Sequence, residues 1–159
     1  MRRETPQGYR SMAEYIKPTL ETKFHVDVDW WQQQNRKLRV HLSSRLCAEC
    51  REKYADAPAQ DMDWVDPYTG EVKKVDVLWD VMRSCCSQNT DYVTPQTPLV
   101  FAVFLTFVAN DNTPLSPVEL EEALGHKSAS TILRTLSTGQ IYYGIRPVRM
   151  PVVRKIAAA

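Results

Sequence analysis

Four cysteines are the residues of this sequence with the clearest capacity for chemistry. Two residues separate Cys47 from Cys50, and 34 residues separate Cys50 from the adjacent pair Cys85 and Cys86. Four thiolates suit a tetrahedral zinc site, provided that the intervening chain returns and brings the two pairs together. We therefore predict a structural zinc site formed by Cys47, Cys50, Cys85 and Cys86.

The spacing leaves other uses of these thiols open. Adjacent cysteines are unusual as two ligands of one metal, so three thiolates with His41 form an alternative ligand set. An iron–sulfur cluster also takes four thiolates, and free cysteines often pack as small buried hydrophobes. A thioredoxin-like use of Cys47 and Cys50 is not expected, because that motif follows a strand and Cys47 falls inside a predicted helix.

The rest of the sequence contains no motif with the residue types and spacing of a catalytic site. It contains no glycine-rich phosphate loop, no HExxH motif and no nucleophile elbow. The three histidines, His25, His41 and His126, are too far apart in sequence to form a catalytic motif. We expect a protein that is not an enzyme.

The composition and the net charge limit the classes of function that this chain can have. The 159 residues include 20 Lys and Arg against 19 Asp and Glu, a net charge of +1, which excludes a broadly basic coat for nucleic acid. An apolar fraction of 43% is enough for a packed core. No apolar run reaches the roughly 18 residues of a membrane span, and the first residues lack the apolar stretch of a signal peptide. We expect no membrane association and a cytoplasmic location.

The elements that position the first cysteine pair are predicted to follow an N-terminal arm, residues 1–22. Residues 1–22 mix charges with proline and glycine and are predicted to be flexible. A cysteine-containing module is predicted over residues 23–96, beginning with a short strand where apolar and polar residues alternate at 24–28. Asp29 is the predicted cap of a long helix over about 30–54, a stretch without glycine or proline.

The elements before the second pair are predicted to turn the chain back. Residues 64–72 contain Asp66 and Gly70, whose turn preferences predict a β-hairpin. Asp76 is the predicted cap of a following helix that carries the second cysteine pair. Residues 87–97 are polar and are predicted to be a linker, so the module has a helix–hairpin–helix arrangement.

A second unit is predicted over residues 97–150. Thr97, with proline in the first turn, is expected to begin an almost wholly apolar helix that ends near residue 109. Ser116 and Glu119 form a capping-box pattern for a second helix, and Gly125 is its expected end. The fold class is therefore α+β.

The end of this unit resembles a known superfamily in its order of elements. A third helix is predicted over 129–137, and residues 141–148 predict two strands that turn at Gly144. Three helices followed by a strand pair resemble the winged helix-turn-helix superfamily. In that superfamily the third helix commonly enters the major groove of DNA, and the strand pair, or wing, touches the backbone.

The resemblance implies a DNA-binding protein, a transcription regulator, with duplex DNA as its partner. By position, the recognition residues would be Lys127, Ser128, Ser130, Thr131, Arg134 and Thr135. The wing residues would be Tyr142, Arg146 and Arg149, and residues 151–159 would form a tail.

The small number of cations in residues 97–150 leaves an alternative open. Phosphate neutralisation supplies much of DNA affinity, and only Lys127, Arg134, Arg146 and Arg149 contribute positive charge there. A homodimer would double that number. The alternative is a non-catalytic subunit of a larger protein assembly, in which the winged helix docks on a partner and Tyr142 or Tyr143 anchors the interface.

Overall fold

A computed structural model describes residues 17–33, 38–54 and 56–148 of the chain. It has a mixed α+β composition, as predicted. Most of the predicted arm, the whole predicted tail and Arg149 lie outside these ranges. The elements in chain order are β1 Phe24–Val26, α1 Val28–Gln33, α2 Leu38–Ser43, α3 Ala48–Tyr54, β2 Asp61–Val65, β3 Val72–Asp76, α4 Val77–Ser84, a 3-10 turn Cys86–Gln88, α5 Leu99–Ala109, α6 Pro117–Leu124, α7 Ala129–Leu136 and β4 Ile145–Pro147.

The prediction of one long helix over 30–54 is wrong for its second half. Helix α2 ends at Ser43, and a turn over 44–47 precedes α3. The hydroxyls of Ser43 and Ser44 donate to main-chain carbonyls one turn back, which is how serine competes with continued helix. The prediction that Asp29 caps this helix is also wrong. Asp27, two residues earlier, accepts the Asp29 backbone amide at the start of α1 (3.1 Å).

The predicted hairpin and the helix after it are confirmed. Strands β2 and β3 pair antiparallel, and Asp66 Oδ1 accepts the Tyr68 amide in the turn (2.8 Å). Asp76 ends β3 and caps α4 by accepting the Leu78 amide (2.9 Å). The same carboxylate takes an ion pair from Arg39 of α2 (2.7 Å), so one nearly buried aspartate joins β3, α2 and α4.

Helices α5 to α7 follow the predicted order. Helix α5 is the most buried helix, as its apolar sequence requires. The predicted capping box of Ser116 and Glu119 is formed at the start of α6, and Gly125 ends that helix in a left-handed conformation. The prediction that Thr97 caps α5 is wrong. Its hydroxyl accepts the Thr94 amide (3.0 Å), and α5 has no side-chain cap.

The last strand has a different partner from the predicted one. Residues 141–148 are expected from the sequence to form a hairpin, yet only a single bridge joins Tyr142 to Ile145. Strand β4 pairs instead with β1, antiparallel, with Phe24 opposite Pro147. The other edge of β1 is bridged to Leu115.

A shared core holds these elements together. Its buried residues come from both segments that are predicted as separate units, and the β1–β4 pair also crosses between those segments. The amide side chain of Asn112 is buried in this region, where it donates to the Val26 carbonyl and accepts the Val26 amide, each at 2.8 Å. None of the helices within the described ranges combines the length and apolarity needed to cross a bilayer.

Candidate functional site

The four cysteines lie in two places, at the start of α3 and just after the end of α4. Cys47 immediately precedes α3, and Cys50 lies in the first turn of that helix. Cys85 follows α4, and Cys86 begins the 3-10 turn. The β2–β3 hairpin reverses the chain between the pairs, and contacts between α2 and α4 set their separation. The prediction that the two pairs meet is confirmed.

Three of the four sulfur atoms lie at mutual distances that suit one metal ion, and the fourth, of Cys86, lies close to Cys47. The Sγ atoms of Cys47, Cys50 and Cys85 all lie within 4.8 Å of one another. Cys47 Sγ lies 3.9 Å from Cys85 Sγ and 3.6 Å from Cys86 Sγ. Four sulfurs placed tetrahedrally at ~2.3 Å from a zinc ion would lie ~3.8 Å apart. The four cysteines are free thiols, and their arrangement is compatible with a thiolate-bound metal.

The local fold shifts the pKa values of three of the thiols in different directions. The Cys50 backbone amide hydrogen-bonds to the Cys47 sulfur and lowers the pKa of Cys47 to about 7. Burial raises the pKa of the Cys50 thiol, and it also raises the pKa of Cys86. Cys47 therefore gives up its proton more readily than Cys50 and Cys86, and a bound cation would favour the thiolate form of those two buried residues.

The expectation that Cys47 lies inside a helix is wrong. It stands at a turn-to-helix junction, and its carbonyl accepts the Arg51 amide of the first helical turn (2.8 Å). A thioredoxin-like use of Cys47 and Cys50 nevertheless lacks the strand-to-helix junction that such a motif requires. The preceding element is a turn after α2 rather than a strand.

The alternative ligand set containing His41 is not formed. Within the described parts of the chain, the group of metal-ligating atoms found within 4.8 Å contains three thiols and no histidine. The His41 ring instead packs edge-on against the rings of Trp31 and Tyr143, at centroid distances of 5.3 and 5.5 Å.

A buried tyrosine connects the turn before Cys47 to helix α5. Tyr92 lies in the segment predicted as a linker, yet its hydroxyl donates to the Leu105 carbonyl (2.7 Å). The Arg45 guanidinium donates to the Tyr92 carbonyl (2.6 Å) and lies over the Phe101 ring (5.9 Å). Sequence reasoning misses Tyr92, for which a lone aromatic residue in a polar stretch is the only signal.

Three of the predicted recognition hydroxyls are engaged within α7. Ser128 Oγ caps the helix by accepting the Thr131 amide (3.2 Å) and lies 2.9 Å from Thr131 Oγ1. Thr135 Oγ1 donates to the Thr131 carbonyl (2.9 Å). These hydroxyls shape and cap the helix.

The other three predicted recognition residues are exposed to solvent. Lys127, Ser130 and Arg134 lie at the start of α7 or on its outer face. Ile132 and Leu136 are buried on the opposite face. Within the part of the chain that the structure describes, no carboxylate forms an ion pair with Lys127 or Arg134.

The predicted wing residues have varied surroundings. Arg146 Nη1 forms an ion pair with Asp27 Oδ2 (3.1 Å), and the Tyr142 hydroxyl lies 3.3 Å from the Gln140 side-chain oxygen. Tyr143 is half-buried among aromatic rings of the core, so it is not the exposed anchor that the docking alternative requires. Arg149 lies outside the described residues.

Comparison with known proteins adds no relative. No protein-family model matches the chain, and no curated protein or solved structure is significantly similar to it. The chemistry of the site is therefore interpreted from its own geometry.

Proposed function

We propose that this chain binds double-stranded DNA as a transcription regulator, and that one zinc ion held by Cys47, Cys50, Cys85 and Cys86 stabilises its fold. The observation that supports DNA binding is the outer face of α7, which presents exposed Ser130 and Arg134. These residues are four apart and thus neighbours on one face of the helix. Arg134 has the planar donor set that pairs with guanine.

The distribution of charge sets an expectation for the strength of binding. Lys127 and Arg134 are exposed cations that can contact DNA without first giving up an intramolecular ion pair among the described residues. Arg146 would have to leave Asp27 before it neutralised a phosphate. A single chain therefore makes few phosphate contacts, so we expect modest affinity that falls steeply with salt. A homodimer would strengthen it.

Zinc is preferred to an iron–sulfur cluster on the spacing of the sulfurs. The two sulfur–sulfur distances from Cys47, 3.6 and 3.9 Å, match those around a single tetrahedral ion. A cluster places several iron and sulfide atoms between its thiolates and requires a wider cage. Two of the four thiols are buried and the other two are half-buried, which also suits a structural ion whose coordination is complete.

The experiment compares variants on duplex DNA at several salt concentrations. Arg134→Ala should weaken binding to a preferred sequence by about 1–3 kcal/mol and relax its sequence preference. Lys127→Ala should weaken binding to all sequences and reduce the salt slope by about one. Lys53→Ala removes an exposed cation from α3 as the matched control and should bind like the wild type. Absence of wild-type binding at low salt would refute the proposal.

A second function, docking as a non-catalytic subunit of a protein assembly, is favoured by the end of the β2–β3 hairpin. Val65 and Val72 are cross-strand partners there, and they are 56% and 61% exposed. If this pair anchors a partner protein, Val72→Asp should abolish co-purification of that partner. Val40→Asp, at an equally exposed valine of α2, should not. Retention of the partner by Val72→Asp would exclude docking by the hairpin.

A further inference from the structure

The cysteine centre has a buried side and a side that reaches solvent. Cys50 and Cys86 are only 4% and 1% exposed, whereas Cys47 and Cys85 are half-buried. A small solute that reaches the centre therefore meets Cys47 or Cys85 first. Cys47 lies close to two other thiols, with the Cys86 sulfur at 3.6 Å and the Cys85 sulfur at 3.9 Å.

We propose that Cys47 is a site of modification by hydrogen peroxide, and that Cys86 then closes a disulfide with it and releases the metal. The metal-release step rests on the zinc site proposed above. The bond-forming step rests on the positions of the thiols alone.

The chemistry balances in two steps. The Cys47 sulfur attacks one oxygen of hydrogen peroxide, so that an S–O bond forms, the O–O bond breaks and hydroxide leaves as water after protonation. The Cys86 thiolate then attacks the sulfur of the Cys47 sulfenic acid. An S–S bond forms, the S–O bond breaks, and a second hydroxide leaves as water. Two thiolates lose two electrons in total, and peroxide is reduced to two waters.

Cys86 is the expected resolving thiol because the backbone holds it against Cys47. The Cys47 amide donates to Cys86 Sγ at 3.3 Å, so one residue fixes both the backbone contact and the 3.6 Å approach of the sulfurs. Once these two sulfurs are joined, two of the four thiolates are lost as ligands. The ion then retains only Cys50 and Cys85, too few for a stable tetrahedral site.

The test treats the reduced, zinc-loaded chain of 159 residues with hydrogen peroxide. Released zinc is followed with a chromogenic chelator, and peptides are mapped under non-reducing conditions. Cleavage after Arg45, Arg51 and Arg83 leaves Cys47 with Cys50 on one tryptic peptide and Cys85 with Cys86 on another. We expect these two peptides to become cross-linked as about one zinc per disulfide is released. A disulfide confined to the Cys47–Cys50 peptide would overturn the proposal.

Two variants identify the resolving thiol. Cys85→Ser should still form the cross-link, whereas Cys86→Ser should stop at a Cys47 sulfenic acid that dimedone captures. A cross-link of undiminished yield in Cys86→Ser would show that Cys86 is not the partner. If a variant folds poorly, the wild-type peptide map still tests whether a disulfide joins the two cysteine pairs.

The failure of this proposal is distinguishable from failure of the proposed function. If the purified protein contains no zinc, the zinc part of that function fails, while the peptide map of the metal-free reduced protein still tests the disulfide. Loss of DNA binding leaves both the zinc assay and the peptide map unaffected.

Discussion

Replacement of Gly144 by alanine tests how tightly the last turn packs against α1. Gly144 has φ of 77°, and an added Cβ would lie 3.1 Å from the Asp27 carbonyl oxygen and 3.1 Å from Trp31 Nε1. The left-handed backbone alone costs roughly 1–2 kcal/mol for a residue with a Cβ. Crowding against the Asp27 carbonyl and the buried Trp31 ring adds roughly 1–3 kcal/mol. The expected loss for Gly144→Ala is therefore about 2–5 kcal/mol in the free energy of unfolding.

Gly125, at the end of α6, provides a matched control. It has the same φ of 77°, and a Cβ added there would meet no atom within 4 Å. Gly125→Ala should therefore show only the backbone cost of roughly 1–2 kcal/mol. Urea denaturation of the two variants and the wild type, followed by circular dichroism, gives the comparison. Equal destabilisation by the two substitutions would refute the close packing of the turn on α1.

Two further substitutions test the link to α5 and the cap of α6. Tyr92→Phe removes the hydrogen bond to the Leu105 carbonyl and should cost about 0.5–1.5 kcal/mol in urea denaturation, whereas an unchanged midpoint would contradict that link. The Lys23 ammonium, aided by the Ser116 amide, lowers the pKa of Glu119 below its ordinary 4.5. The Glu119 carboxylate therefore stabilises the fold at pH values above 4.5, and this stabilisation is lost as the pH falls through the lowered pKa. Glu119→Gln should therefore be less stable than the wild type near neutral pH and converge with it in acid; a constant difference across that range would contradict the assignment.

Local signals in the sequence predict the ends of several elements correctly. The capping box of Ser116 and Glu119, the cap at Asp76 and the hairpin turn at Asp66 all depend on residues within a few positions of one another. Such interactions are determined by short stretches of chain, so the residue types alone indicate them.

Features that depend on distant residues are not predictable in the same way. Strand β4 pairs with β1, which lies more than 100 residues earlier, and this pairing replaces the expected local hairpin. Arg45, just after the end of α2, donates to the carbonyl of Tyr92, a residue far along the chain. The cysteine spacing suggests a metal site, but the approach of Cys86 to Cys47 depends on how α3 and α4 pack.

Zinc analysis combined with X-ray absorption spectroscopy of the purified protein tests the central claim most directly. We predict about one zinc per chain, bound by about four sulfurs at ~2.3 Å. Cys50→Ser should lower both the zinc content and the melting temperature. Fully folded protein that contains no metal, or zinc bound mainly by nitrogen and oxygen, would contradict the site formed by Cys47, Cys50, Cys85 and Cys86.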